Sequence, residues 1–115
     1  MANTFKVVTK SGVTSADVSY TVASSTTTVI LGLIIGNTTS SSVYATVTLG
    51  TDTGNRAGAN NETNQDVELI TSTPIPGNST LELLSGNKVV METTDTLSVT
   101  GSGEVDVALS IMEIT

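Results

Sequence analysis

The sequence predicts an all-β protein, an antiparallel β-sandwich of jelly-roll or Greek-key type with about eight strands. Threonine, serine, glycine and asparagine are abundant, whereas aromatic residues make up 3% and charged residues 13% of the chain. This composition fits short pleated strands joined by turns. Apolar and polar residues alternate over several short segments that turn-forming clusters separate. No internal repeat or domain boundary is visible, so residues 1–115 are expected to form one sandwich domain.

Four strands are expected in the first half, at residues 5–9, 18–23, 27–36 and 42–49. The first strand places Phe5 and Val7 on one face and Lys6 and Val8 on the other. The fourth strand alternates most strictly and points four apolar residues to one side: Val43, Ala45, Val47 and Leu49. Such alternation predicts a strand with one buried face.

The third expected strand differs because the run Val29–Ile35 is apolar on both faces. This pattern predicts a strand that is either covered on both sides or located at a subunit contact. Gly32 within the run predicts a β-bulge or a close backbone approach. The run is much shorter than the roughly 20 residues of a membrane-spanning helix.

A polar segment, Gly50–Gln65, follows the fourth strand and shows no periodicity. Loops of this length are uncommon in compact domains unless they serve a function. We therefore expect a surface loop that reaches a neighbouring molecule.

Five strands are expected in the second half, at residues 66–71, 79–84, 88–92, around 97–99, and at 104–114. The prolines in Pro74–Gly77 exclude a central strand there. Gly86 and Asn87 predict a type II′ turn, so that residues 88–92 pair back on residues 79–84. The last strand points Val105, Val107, Leu109 and Ile111 to one side.

The residue inventory limits the chemistry that is available to the chain. Cysteine and histidine are absent, which removes disulfides, thiolate metal sites and the commonest general base. A net charge of −7 disfavours partnership with nucleic acid or an anionic membrane. The segment Met1–Lys6 lacks the features of a secretion signal, so synthesis in the cytoplasm is expected.

Paired carboxylates are the first candidates for acid–base catalysis in this acidic chain. Asp66 with Glu68, and Glu92 with Asp95, are close enough in sequence to form such pairs. Alternation places Asp66 and Glu68 on a solvated strand face instead. Serine nucleophiles lack an activating histidine, and no Gly-x-Ser-x-Gly motif occurs. We expect no catalytic residue and no enzyme activity.

The long loop also contains oxygen ligands of the type that calcium prefers. The stretch Asp52–Asn55, with Glu62, Asn64 and Asp66, has spacing that does not match the twelve-residue calcium-binding loop. The loop's glycines lack the Gly-Lys-Thr of a phosphate-binding motif. Neither a metal nor a cofactor is expected.

Two further groups of residues have simple explanations. Three lysines are expected to protect strand edges from aggregation, namely Lys6, Lys10 and Lys88. Three Asn-x-Ser/Thr sequons are expected by chance in so Asn- and Thr-rich a chain, and they begin at Asn37, Asn61 and Asn78.

Several segments resemble small virion structural proteins of tailed bacteriophages, in particular those of phages that infect cyanobacteria and marine bacteria. The segments are Thr28–Thr39, Pro74–Ser79, Gly86–Glu92, Asp95–Thr100 and Ala108–Ile114. They are patterns of strands and turns rather than a chemical signature, and they cover most of the chain beyond residue 25. The resemblance implies an oligomeric β-sandwich component of a phage particle, with no catalytic residue.

The resulting hypothesis is a capsid decoration (cement) protein that stabilises the head lattice and is located in the virion after synthesis in the host cytoplasm. Its expected partners are copies of itself, as a trimer, and the major capsid protein or another virion protein. The expected contact elements are the Gly50–Gln65 loop and the two termini. One alternative is a neck, tail-tip or short-fibre component that contacts the host surface. Another is a carbohydrate-binding jelly-roll module, which the shortage of aromatic residues disfavours.

Overall fold

The computed structural model describes residues 2–14, 17–51, 65–84 and 88–115, and all regular structure within them is β-strand. The strands are β1 (Asn3–Val13), β2 (Asp17–Thr21), β3 (Thr27–Asn37), β4 (Val43–Thr51), β5 (Gln65–Ile75), β6 (Thr80–Leu83), β7 (Val89–Met91), β8 (Thr96–Gly101) and β9 (Val105–Ile114). They form two antiparallel sheets, which confirms the predicted β-sandwich.

The strand pairings are nested about the middle of the chain. Strand β1 pairs with β9, β2 with β8, β3 with β6 and β7, and β4 with β5, all antiparallel. This is the pairing of one long hairpin that has been rolled up, as in a jelly roll. One sheet has the order β1-β9-β3-β6, with β7 also on β3, and the other has the order β2-β8-β4-β5.

The core lies between the two sheets and is built almost entirely from aliphatic side chains. The inward residues predicted for β4 and β9 are all buried, apart from the half-buried Leu49. Alternation identified them correctly because each of these strands has one face towards the core and one towards solvent. The largest fully buried side chains are Ile30, Leu33, Ile35, Ile75, Met91, Leu97, Leu109 and Ile111.

Strand β3 occupies a central position between β9 and β6, and a bulge interrupts its register between Ile30 and Gly32. The bulge confirms the expectation for Gly32, and it keeps Ile30 and Leu33 both inward although they are three residues apart. The second sheet covers only this inner face. On the outer face Ile34 is 46% exposed, so the described residues do not cover both faces of the apolar run.

The hairpin predicted for residues 79–92 is wrong. Strands β6 and β7 do not pair with each other, since Leu81 and Leu83 pair with Ile35 and Leu33 while β7 pairs with residues 28–30 of the same strand. The two strands therefore run in one direction along β3, as an interrupted edge strand. The Gly86–Asn87 turn itself lies outside the described residues.

Strand β5 extends further than predicted, because Pro74 lies within it and pairs opposite Tyr44. Proline is tolerated there because β5 is an edge strand, which agrees with the exclusion of a central strand. The chain turns after Ile75, where Gly77 approaches the main chain of Ser40 so closely that a Cβ would overlap the Ser40 carbonyl oxygen.

Candidate interaction surface

The outer face of the five-stranded sheet carries a set of apolar side chains that no part of the described chain covers. Cross-strand register places these residues on one side. Phe5 is opposite Met112, Met112 is opposite Val29, and Val29 is opposite Val90. Val7 on β1 and Ile34 on β3 share this face by alternation. We call the set the apolar face: Phe5, Val7, Val29, Ile34, Val90 and Met112.

Exposure on the apolar face is high for large hydrophobic side chains. Phe5 is 71% exposed, Val7 61%, Val90 59% and Ile34 46%. Phe5 is the single phenylalanine of the chain. An exposed apolar set of this kind marks interaction sites more often than an isolated exposed leucine does.

Small residues line the middle of the apolar face. Ser110 is opposite Gly32 on β3 and opposite Val7 on β1, and Ala108 is opposite Ile34. A Cβ added to Gly32 would meet no atom within 4 Å. The face is therefore a shallow trough, with Phe5 and Val7 raised along one side.

An open pocket lies at the end of this trough. It has a volume of about 460 Å³, and Thr9, Ile34, Gly36 and Ala108 are among its lining residues. Asp106 also lines it, and its Oδ1 atom accepts a hydrogen bond from the Gly12 main-chain N–H at 3.0 Å. The pocket widens the apolar face rather than forming an enclosed cavity.

Charge is sparse on this face. Among the described residues that the register assigns to it, Glu82 and Asp106 are the charged side chains, and both lie towards the pocket end. Since the whole chain has a net charge of −7, most of its negative charge lies elsewhere. The apolar face is therefore a sparsely charged patch on an acidic protein, with Glu82, Asp106 and the pocket-lining Lys10 at one end.

A polar cluster connects the two sheets beside β1. The Lys6 Nζ atom lies 2.7 Å from Glu113 Oε1. The Tyr20 hydroxyl donates to Glu113 Oε2 at 2.7 Å, and it lies 2.7 Å from the Thr28 hydroxyl, which then acts as the donor. Residues from β1 and β2 thus bond the Glu113 carboxylate of β9, whose side chain is 15% exposed, and Thr28 of β3 joins the cluster through Tyr20.

This environment changes the pKa of two groups in the cluster. Burial raises the pKa of Tyr20 to about 12, and the hydrogen bond to Glu113 acts in the same direction. The hydrogen bond from Lys6 holds the pKa of the Glu113 carboxyl below its usual range, with a further contribution from Tyr20. Lys6 and Tyr20 therefore favour the ionised form of Glu113, and Glu113 favours the protonated form of Tyr20. This mutual stabilisation is typical of a structural hydrogen-bond network.

Asn37 is a buried hydrogen-bonding centre at the end of β3. Its Nδ2 atom donates to the carbonyl oxygens of Ser41 at 2.8 Å, Ile75 at 2.9 Å and Pro76 at 3.2 Å. Its Oδ1 atom accepts from the main-chain N–H and the hydroxyl of Thr39. The amide is 3% exposed and fully engaged, so this sequon is a structural feature.

The two acid pairs take different positions. Asp66 and Glu68 are exposed on β5, opposite Gly50 and Thr48, which confirms the solvated face predicted for them. Asp95 is instead 1% exposed, and its Oδ2 atom accepts the main-chain N–H of Glu92 at 3.0 Å. The second pair, Glu92 and Asp95, therefore belongs to a tight turn that this hydrogen bond closes.

Several candidate sites of the sequence lie outside the described residues. These are the calcium-type ligands Asp52, Asn55, Glu62 and Asn64, most of the Gly50–Gln65 loop, and the sequon at Asn61. Within the described ranges no group of three or more acidic, histidine or cysteine side chains is placed to hold a metal ion. The sequon Asn78 is exposed in the turn after β5.

The lysines predicted to protect strand edges occupy different environments. Lys10 is exposed on the edge strand β1 and Lys88 is exposed before β7. Lys6 lies on the same edge strand but forms the ion pair with Glu113. Its charge therefore also contributes to the contact between β1 and β9.

The chain termini are paired with each other. The Ala2 N–H donates to the Thr115 carbonyl at 3.1 Å, and the Thr115 N–H donates to the Ala2 carbonyl at 3.0 Å. Main-chain hydrogen bonds therefore hold both of these ends, and their expected role in contacts with other molecules stays a prediction. The N-terminal residues are exposed because they belong to β1, an ordered strand at the edge of its sheet.

The sequence predicted cover or a subunit contact for both faces of the β3 run, but it did not predict that Phe5 and Val7 belong to the same apolar face. The available signals were the apolar residues on both faces of β3 and the position of Phe5 and Val7 on a strand whose other face carries lysines. Alternation alone does not tell which face of such a strand is inward, because that depends on the packing of distant strands.

No protein-family model, curated protein or solved structure matches this chain. The described part of the chain contains no helix that is long and apolar enough to cross a membrane.

Proposed function

We propose that this chain is a non-enzymatic structural protein of a phage particle, and that it acts as a capsid decoration protein on the head lattice. The observation that carries the proposal is the apolar face, which leaves Phe5 and Val7 more than half exposed on an ordered sheet. A protein that assembles with copies of itself on a particle needs such a surface, because burial of apolar area drives stable association.

Three other features support a structural role. The jelly-roll arrangement of the strands is common in viral particle proteins. The titratable groups that the structure brings together, Tyr20, Glu113 and Lys6, are bonded to one another and leave no substrate position between them. The resemblance of the strand and turn segments to small virion proteins of tailed phages points the same way.

The carbohydrate-binding alternative has less support. Sugar-binding sites commonly use aromatic side chains as platforms, and this chain has one phenylalanine, two tyrosines and no tryptophan. Phe5 and Tyr44 are exposed on the outer faces of different sheets, and the Tyr20 hydroxyl is bonded inside the polar cluster. No two aromatic rings are placed to hold one sugar.

Copy number per particle tests the proposal. Virions of the phage that encodes the chain are purified, and the chain is quantified by mass spectrometry against the major capsid protein. A ratio of one, or of one to a few, is the expected result for a decoration protein. A handful of copies would move the protein to the neck or tail and overturn the head assignment. Absence from the particle would overturn the virion role altogether.

Particle stability provides a second measurement. Virions that lack the chain are expected to release their DNA at a lower temperature than complete virions, and added purified chain should restore the difference. Unchanged stability would contradict a cement role even if the copy number were high.

A further inference from the structure

The geometry points to a second copy of this chain as the occupant of the apolar face, with the two five-stranded sheets packed face to face about a two-fold axis. This inference deepens the proposed function, rests on it for the expectation that copies meet, and proposes a two-fold dimer in place of the trimer expected from the sequence. The proposed function and the proposed dimer can fail separately, because self-association is measured on the isolated protein and the position in the particle is measured on virions.

The first argument comes from β3. An apolar run on both faces of a strand requires cover on both sides or a contact with another subunit, and the second sheet covers only the inner face, where Ile30 and Leu33 are buried. On the outer face of the same strand Val29 is half-buried and Ile34 is 46% exposed. A second copy of the chain would cover this outer face.

The second argument is the shape of the face. Phe5 and Val7 are raised along the β1 side, and Ser110, Gly32 and Ala108 form the trough beside them. A two-fold axis through the trough places the raised side chains of each copy into the trough of the other. Such a contact is self-complementary, as isologous interfaces are, and aligned sheet-on-sheet packing is a common arrangement.

The third argument is area. Four strands about 4.8 Å apart and about nine residues long, with a rise of about 3.4 Å, span roughly 600 Å². Two copies would bury roughly 1,200 Å² in total, at the lower limit of stable, specific interfaces. The area is therefore sufficient for a dimer.

The fourth argument is charge. Each copy has a net charge of −7, so two copies repel each other overall. The charged residues that the register places on the apolar face, Glu82 and Asp106, lie at one end, so contact through the rest of the face brings few like charges together. Added salt screens the repulsion, so the dimer should strengthen as the ionic strength rises.

Sedimentation of the isolated protein is the first test. The expected mass is twice the 11.7 kDa of the chain, with a dissociation constant that falls on addition of salt. The double variant Phe5→Ser, Val7→Thr should raise that constant by about tenfold or more. The control is Tyr44→Ser, Val67→Thr, which removes apolar residues of 53% and 42% exposure from the other sheet and should leave the constant unchanged.

Circular dichroism and thermal unfolding establish that both double variants fold, as expected for exposed positions. A chain that stays monomeric at its highest soluble concentration would overturn the inference. So would an oligomer that the Phe5 and Val7 substitutions do not weaken, or one that salt dissociates.

Crosslinking gives an independent readout, because the chain has no cysteine of its own. Ser110→Cys places a thiol in the middle of the trough, and a short bismaleimide should join two copies through it. Thr48→Cys, on the outer face of the other sheet, is the matched control. Efficient crosslinking of Ser110→Cys alone supports the face-to-face dimer, and equal yields from the two variants would refute it.

Discussion

Substitution of Tyr20 by phenylalanine should remove a specific alkaline decline in stability. The hydroxyl donates to Glu113 at 2.7 Å, and burial raises its pKa to about 12 from 10.0. Below pH 10 the phenol is protonated in both the folded and the unfolded chain. Between pH 10 and 12 the unfolded chain ionises while the folded chain stays protonated, so the free energy of unfolding falls with rising pH.

The size of this decline follows from the two pKa values. Each pKa unit corresponds to about 1.4 kcal/mol, so two units give about 2.7 kcal/mol for a fully buried group. The ring is only half-buried, and solvent screening reduces the expected decline to about 2 kcal/mol. At neutral pH the Tyr20→Phe variant should itself be destabilised by about 1–2 kcal/mol, because Glu113 loses one donor.

Urea unfolding at a series of pH values measures both effects. The difference between wild type and Tyr20→Phe should be largest at neutral pH and should nearly vanish at about pH 12. Tyr44→Phe is the control, since that ring is 53% exposed and lies on the other sheet, and its pH profile should follow the wild type. A constant difference between wild type and Tyr20→Phe across this range would refute the reasoning.

Three further predictions concern stability and are measured by urea or thermal unfolding. Asn37→Ala should cost about 2–4 kcal/mol, because several buried carbonyl groups lose their donor; a loss within experimental error would contradict the proposed role of the amide. Gly77→Ala should cost more than 1 kcal/mol, since its Cβ would overlap a main-chain carbonyl. Gly32→Ala should be neutral in the Phe5→Ser, Val7→Thr background, which removes the proposed contact between copies, because its Cβ meets no atom of the chain itself; equal effects of the two glycine substitutions would be inconsistent with the packing described. The buried Ser19 hydroxyl has no hydrogen-bond partner among the described residues, so Ser19→Ala should be neutral or stabilising by about 1 kcal/mol, and a clear loss of stability would reveal a partner.

Prediction from the sequence succeeded where one strand face is buried and the other is solvated. The alternation of β4 and β9 identified their inward residues, since a period of two is the direct consequence of a single covered face. Asp66 and Glu68 are exposed as predicted, but Val67 between them is also 42% exposed, so this end of β5 has no buried face. Alternation is a local property, and a single sequence contains it.

The errors occurred where distant parts of the chain decide the structure. Gly86 and Asn87 are favourable turn residues, but the flanking strands pair with β3 instead of with each other. The choice of pairing partner depends on the nested order of the whole chain, which turn chemistry does not encode. Likewise, Asn37 bonds to a carbonyl 38 residues away in sequence, and no local pattern predicts such a contact.

Strand β1 contributes both to the stability of the fold and to the proposed contact between copies. It is an edge strand, paired on one side only, and its outer residues Phe5 and Val7 form the raised part of the apolar face. On its other face Lys6 binds Glu113, whose carboxylate also accepts the Tyr20 hydroxyl from the opposite sheet. The polar cluster therefore fixes the strand that presents the apolar side chains. An ordered strand loses less conformational entropy on association than a frayed one, and this relation explains why an exposed edge carries both a charged network and the largest apolar side chain of the chain.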